Sequence, residues 1–156
     1  MLIIALIYHC EVYFMEYFTS ESANLQLFPK FAVHKRQAKS KTDTKMKVKE
    51  LVEKLNLKVL SGEKGLDREI DGCYISDLLS DVMGNAMEGN IWITLQTHKN
   101  VMAVASLKEM SCIILVKNLM PNDETIEQSN DEDLPILQTS LPTYEIAGLV
   151  YNLLNK

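Results

Sequence analysis

Two nearly continuous apolar runs, residues 91–95 and 112–116, constrain the fold of this chain more than any other feature. Each run has the usual length of a β-strand, and neither shows the polar alternation of a strand that faces water on one side. Strands of this kind lie in the middle of a sheet that is covered on both faces. The two runs therefore predict a parallel sheet with helices packed above and below it.

The segments around these runs alternate between helix and strand patterns. An alanine-containing apolar segment, residues 101–107, predicts a helix between the two strands, and a polar segment, residues 122–130, predicts another. A third strand is predicted at residues 135–138, and Pro142 suits the first position of a final helix. The apolar positions of that helix are 147, 150, 151 and 154. This alternation predicts an α/β fold with a mostly parallel sheet, right-handed crossovers and flanking helices.

The first part of this domain carries shorter signals. Apolar residues at 48, 51, 52 and 55 have the spacing of a helix, and short strands are predicted at residues 57–60 and 73–75. A short helix then begins with Ser76 or Asp77 as its N-cap and ends near Gly84.

The core prediction follows from the two central strands. We expect four side chains to be buried in adjacent parallel strands: Trp92, Ile93, Ile113 and Leu115. Val101, Val104 and the last helix should pack against them.

Charge divides the chain near Met46. Residues 1–45 carry a net charge of +2 and residues 46–156 a net charge of −7. The opening apolar stretch is interrupted at Glu11, so it is shorter than a membrane span, and it lacks the basic leader of a signal peptide. We predict that residues 1–45 are an extension, disordered or outside the fold, for which an upstream start codon is one hypothesis, and that residues 46–156 form one α/β domain.

Composition excludes several classes of function. The net charge of −5 offers no broad basic surface for a run of phosphates, which disfavours nucleic acid as a partner, and no segment predicts membrane insertion. The three cysteines, Cys10, Cys73 and Cys112, are odd in number and far apart, which is typical of buried thiols in a reducing compartment. A cytoplasmic location is therefore expected.

The common catalytic signatures are missing. None of the six glycines is followed by lysine, so the chain has no P-loop, and the dinucleotide, nucleophile-elbow and helical metal motifs are absent too. The sequence therefore predicts no catalytic residue, no metal site and no cofactor.

The polar segment of residues 96–100 joins a buried strand to a helix. Ligands bind at this place in open α/β sheets, because strand ends form a crevice and free amides at a helix start attract anions. Gln96, Thr97, His98 and Asn100 are thus candidate contacts for a ligand or partner. The alternative is a polar turn in which Thr97 is merely a helix cap, and this reading is favoured on the residues alone.

Asp77 and Asp81 are four residues apart on a predicted helix. Two carboxylates on one helical face suit acid/base work or a divalent cation. One capping and one solvated aspartate is the favoured alternative.

Two segments carry a resemblance to a known family. The run of residues 76–83, followed by residues 92–105 with Gln96, Thr97, His98 and Asn100, resembles the stand-alone DRTGG-domain proteins of anaerobic bacteria. These are similar to the amino-terminal domain of HPr kinase/phosphorylase and lack its P-loop kinase domain. Of the five residues that name the domain, this chain offers Asp67 and Arg68, with Gly72 four positions beyond.

The resemblance implies an HPr kinase N-terminal-domain-like fold and a regulatory role. It implies a non-catalytic, dimeric module that senses a small, nucleotide-like ligand or modulates a metabolic or hydrogenase-linked enzyme. The residues implied in binding are Gln96, Thr97, His98, Asn100, Asp77, Ser80 and Asp81. Two alternatives stay open: an HPr serine kinase-like phosphoryl-transfer protein, and a pure assembly scaffold.

Overall fold

The computed structural model describes residues 45–155, which fold around one five-stranded sheet. The strands are β1 (Lys58–Ser61), β2 (Gly72–Ile75), β3 (Asn90–Thr94), β4 (Cys112–Leu115) and β5 (Ile136–Gln138). Their order across the sheet is β1-β5-β4-β3-β2. The four strands β2 to β5 are parallel, and β1 pairs antiparallel with β5 at one edge. The predicted α/β fold with a mostly parallel sheet is confirmed.

Five α-helices and one short 3₁₀ helix surround this sheet. The α-helices are α1 (Val48–Leu55), α2 (Leu79–Asn85), α3 (Asn100–Leu107), α4 (Asp123–Asp131) and α5 (Thr143–Leu154), and the 3₁₀ helix spans Glu63–Asp67. Within residues 45–155, no helix is long and apolar enough to cross a membrane. The predicted extension, apart from Lys45, lies outside the described residues, as does Cys10.

The sheet separates two hydrophobic clusters because successive strand residues alternate between its faces. On one face, Trp92, Ile113 and Leu115 pack with α2 and α3, and Val101 and Val104 belong to this cluster. On the other face, Ile93 packs with α1 and with Ile146 and Val150 of α5. All four predicted core residues are at most 1% exposed. The core prediction is confirmed, with its helical partners divided between the two faces.

Two helix starts and one helical face differ from the prediction. Neither Ser76 nor Asp77 caps α2, since Leu78 stands at its N-cap position. The Asp77 carboxylate instead accepts hydrogen bonds at the end of β3, which a local pattern does not reveal. Pro142 is the N-cap of α5 rather than its first residue. Tyr151 is 65% exposed, because Ile146 and Val150 form the buried stripe of that helix.

Arg68 ties three loop carbonyls together at the amino ends of the parallel strands. Its guanidinium donates to the carbonyl oxygens of Met110 at 3.1 Å, Glu132 at 3.1 Å and Asp133 at 3.0 Å. The backbone is also close here, since a Cβ on Gly65 would lie 2.0 Å from the Asp133 oxygen. Arg68 and Gly65 together fix the segment before β2 against the loops that precede β4 and β5.

Truncation of a central strand residue should destabilise the domain strongly. Ile113 is fully buried, so Ile113→Ala should lower the free energy of unfolding by about 2 to 5 kcal/mol through lost burial and a new cavity. Leu107→Ala is the control, because Leu107 is 68% exposed and its loss should change stability by less than about 0.5 kcal/mol. Urea unfolding measures both, and equal effects would contradict the sheet assignment.

Replacement of Arg68 by lysine should also destabilise the domain. A lysine keeps the charge but cannot reach three separate carbonyls in the fork geometry of a guanidinium. Arg68→Lys should therefore cost about 2 to 3 kcal/mol in urea unfolding. Lys64→Ala is the control, because Lys64 is 83% exposed in its ion pair with Asp133 and should contribute less than about 1 kcal/mol. A neutral Arg68→Lys would show that the three bonds are dispensable.

Candidate functional site

The predicted site residues lie at the carboxyl ends of β2 and β3, which are neighbours in the sheet. Asp77 is the centre of the hydrogen bonds there. Its Oδ1 accepts from the Thr94 hydroxyl at 2.8 Å and from the Leu95 amide at 2.7 Å. The Gln96 side-chain amide donates back to the Asp77 carbonyl at 3.1 Å. These bonds join the loop after β2 to the loop after β3.

This network gives Asp77 and Gln96 a positioning role. Asp77 Oδ1 and the Gln96 side-chain NH2 group hold Thr94 and the backbone of the two loops. Thr94 is 2% exposed, and its hydroxyl also accepts from the Gln96 amide at 3.1 Å. Sequence reasoning missed Thr94, although a threonine closing an otherwise apolar strand is the kind of signal that marks such a bond.

Asp81 belongs to a separate cluster on α2. Its carboxylate accepts from the Tyr74 hydroxyl at 2.9 Å and from the Asn85 side-chain amide at 3.0 Å. Hydrogen bonds from the Ser76 and Tyr74 hydroxyls hold the pKa of the Asp81 carboxyl below its ordinary value. The two aspartates thus have different partners and do not form a carboxylate pair. The prediction that Asp77 and Asp81 share one helical face is wrong, because Asp77 precedes the helix that carries Asp81.

The remaining predicted residues differ in exposure and bonding. His98, Asn100 and Ser80 are exposed, whereas Thr97 is half-buried. Within residues 45–155, the side chains of His98, Asn100 and Ser80 make no hydrogen bond. The structure therefore brings His98 and Asn100 together at the start of α3 as exposed polar groups and puts Ser80 in the first turn of α2.

Backbone hydrogen bonds engage several amides at the start of α3. The amides of Val101 and Met102 donate to the carbonyls of His98 and Lys99, both at 3.0 Å, and Ala103 donates to Lys99 at 3.3 Å. Amides bonded in this way do not serve as an anion cradle, so the expected attraction for anions is weakened. The exposed side chains of His98 and Asn100 are therefore groups that this helix start offers to a ligand.

Thr97 does not cap α3. Lys99 occupies the N-cap position without a side-chain cap, and Lys99 Nζ pairs with Glu124 at 3.1 Å. The carbonyl of Thr97 accepts from the Asn122 amide and the Thr125 hydroxyl, both at 3.3 Å. Thr97 thus ties the loop after β3 to the first turn of α4, which makes it a positioning residue.

The chain leaves β4 and β5 toward opposite faces of the sheet. Helix α4 packs beside α3, whereas α5 lies on the face that α1 covers. Such a divergence opens a crevice at the carboxyl ends of parallel strands. Here the loops close it, since Asn118 donates its amide to the Thr139 carbonyl at 2.8 Å and Lys117 donates to Leu141 at 3.1 Å. Sequence reasoning missed Lys117 and Asn118, whose left-handed φ values are 56° and 57°.

The two described cysteines are poor nucleophiles. Burial raises the pKa of Cys73 and of Cys112 to about 12, so both stay protonated thiols at neutral pH. Among residues 45–155, no group of three or more His, Cys, Asp or Glu side chains is arranged to hold a metal ion.

Comparisons with known proteins place this domain among its relatives. Over 125 residues the chain is 26% identical to HPr kinase/phosphorylase from Bacillus cereus and 30% identical to that from Brevibacillus brevis. Each match covers 70% of this chain, and the chain spans 40% of the length of these relatives.

A solved structure with the same fold is the regulatory region of Clostridium perfringens pyrophosphatase, which contains CBS and DRTGG domains and is complexed with its activator, diadenosine tetraphosphate. The TM-score is 0.56 at 14% identity, over 69% of this chain and 47% of that one. A sequence model of the DRTGG domain matches residues 50–153. The chain therefore belongs to the DRTGG-domain family, as the runs at residues 76–83 and 92–105 predicted.

Proposed function

We propose that this chain is a non-catalytic regulatory module that binds a nucleotide-like ligand or a metabolic or hydrogenase-linked enzyme. The binding surface consists of the exposed residues Ser80, His98 and Asn100, and we call it the carboxyl-edge surface. Support comes from the family, which the chain shares with the regulatory region of a pyrophosphatase that is complexed with a nucleotide activator.

One observation carries the proposal. His98 and Asn100 are exposed side chains that directly follow a loop segment held by Asp77 at Leu95 and by α4 at Thr97. Polar groups beside a fixed segment lose little entropy on binding, and they can form hydrogen bonds with a ligand. Imidazole and carboxamide groups both donate and accept, which matches the edge of a heterocyclic base or a peptide backbone.

We also propose that the module works in the cytoplasm as a homodimer. Strand β2 is at the edge of the sheet, so one side of its backbone has no strand partner within residues 45–155. Ile75 at its end is 45% exposed, and Tyr144 on the neighbouring α5 is 89% exposed. An open strand edge beside exposed apolar side chains favours pairing with a second copy.

Substitutions at the carboxyl-edge surface should separate binding from stability. The screen is thermal unfolding of the full chain with adenine nucleotides and diadenosine tetraphosphate, where a ligand at 100 times its Kd stabilises by about 2.7 kcal/mol. His98→Ala and Asn100→Ala should abolish the rise in melting temperature that the ligand causes. Where the occupant is an enzyme, they should abolish its binding in a pull-down. Each should change the free energy of unfolding by less than about 0.5 kcal/mol, as exposed substitutions do.

Asp77→Ala is the matched control, because Asp77 lies in the adjoining loop but is used internally. It should lower the free energy of unfolding by about 1 to 3 kcal/mol through its lost bonds to Thr94 and Leu95. If His98→Ala and Asn100→Ala lower stability to the same extent and leave binding intact, these residues merely shape the turn and the proposed surface is wrong.

A phosphorylation assay tests the non-catalytic part of the proposal. The full chain incubated with ATP, Mg²⁺ and HPr should leave HPr unmodified, because phosphoryl transfer needs a phosphate cradle that this sequence lacks. A full-length HPr kinase/phosphorylase is the positive control, and intact-mass spectrometry of HPr is the measurement. Stoichiometric phosphoserine produced by this chain alone would overturn the regulatory assignment.

A further inference from the structure

A cavity of 520 Å³ lies at the amino ends of the parallel strands, opposite the carboxyl-edge surface, among the loops that precede β2, β3, β4 and β5. Its volume is within the range of small-molecule sites. We call it the amino-edge cavity. Its charged lining comes from Lys45, Arg68 and five carboxylates. Arg68, one of the residues that match the name of the domain, is thus in its wall.

The charges of this lining are unbalanced. Five carboxylates face two cations, and both cations are already engaged. Lys45 pairs with Asp71 at 2.6 Å and with Glu69 at 3.9 Å. Arg68 is bonded to three backbone carbonyls. Within residues 45–155, Glu88, Glu109 and Glu132 make no ion pair, so the cavity has an excess of negative charge.

Buried polar atoms without partners provide a second and independent observation. Two buried side-chain atoms in the described part of the chain lack a hydrogen-bond partner, Ser111 Oγ and Glu132 Oε2. Both residues line the amino-edge cavity. Ser111 is 2% exposed, so water satisfies its hydroxyl poorly. Unpaired buried groups of this kind lower the stability of the fold, and the presence of both at one cavity indicates a place for a hydrogen-bond donor.

We propose that the amino-edge cavity binds a small organic cation that carries ammonium groups, such as a diamine or polyamine. An ammonium has three N–H donors and no acceptor, so it suits acceptor atoms such as Glu132 Oε2 and Ser111 Oγ, and it neutralises a carboxylate. A second ammonium of the same molecule would lie near Glu88 and Glu109. A bare metal ion fits less well, because no cluster with ligand geometry is present among residues 45–155.

This site is separate from the carboxyl-edge surface, and its test does not depend on that proposal. The experiment titrates the full chain with putrescine and with spermidine by calorimetry at constant ionic strength, with Mg²⁺ as the comparison cation. Spermidine should bind in a saturable manner with a stoichiometry of about one, and should raise the melting temperature. Mg²⁺ at the same charge concentration should do neither.

Variants identify the place of binding. Glu132→Gln should weaken spermidine at least tenfold, and Ser111→Ala should weaken it several-fold. Glu127→Gln is the matched control, because it removes the same charge from an exposed position on α4 that does not line the cavity, and its effect should stay within twofold. Melting temperatures of the free variants show that each is folded. Absence of saturable amine binding would overturn the proposal. Equal weakening by Glu132→Gln and Glu127→Gln would overturn it too, since that result marks diffuse attraction to an acidic protein.

Discussion

The burial of β3 and β4 on both faces is the constraint on which the rest of the molecule depends. Every residue from Ile91 to Ile93 and from Cys112 to Ile114 is fully buried. A strand covered on both sides has no room for an unpaired polar side chain, because each would lose its water without compensation. Polar groups are therefore confined to the strand ends, where Asn90 begins β3 and Thr94 closes it. Polar groups that could bind a ligand beside β3 and β4 therefore lie where these strands begin and end.

The loops at the two ends of the parallel strands are fixed in the same way. At the carboxyl edge, Asp77 binds a hydroxyl and an amide of the chain leaving β3. At the amino edge, Arg68 binds three carbonyls of the chain entering β4 and β5. In each case one charged side chain bonds groups that are distant in sequence, which makes loops rigid without apolar burial. Some polar side chains take no part in this bonding and are available to ligands. They are those of His98 and Asn100 at the carboxyl edge and those of Glu132 and Ser111 at the amino edge.

The helices and strands could be predicted from the sequence, whereas these hydrogen bonds could not. Apolar runs such as residues 112–116 predict buried strands because periodicity is local, and the helix spacing at α1 is equally local. Asp77 looked like a helix cap because its partners Thr94 and Leu95 lie 17 and 18 residues away. The amino-edge cavity escaped sequence reasoning for the same reason, since its lining comes from Lys45 and from four segments that are distant in sequence. Asp67 and Arg68 were recognised as part of a motif, but their structural role required the loops they meet.

The separation of the edges bears on how a regulatory domain of this type can work. A strand of five residues is about 17 Å long, so β3 alone keeps the amino-edge cavity away from the carboxyl-edge surface. Ligands bound at two sites that far apart, with no shared hydrogen-bond partner, add independently to the stability of a close-packed domain unless a mobile element joins the sites. The β3–α3 unit reaches both edges, since Ser106 of α3 lines the cavity and Asn100 begins the same helix. Communication through this unit requires α3 to shift as a body against Trp92 and Ile113, and the dense packing of that cluster makes such a shift discrete rather than gradual.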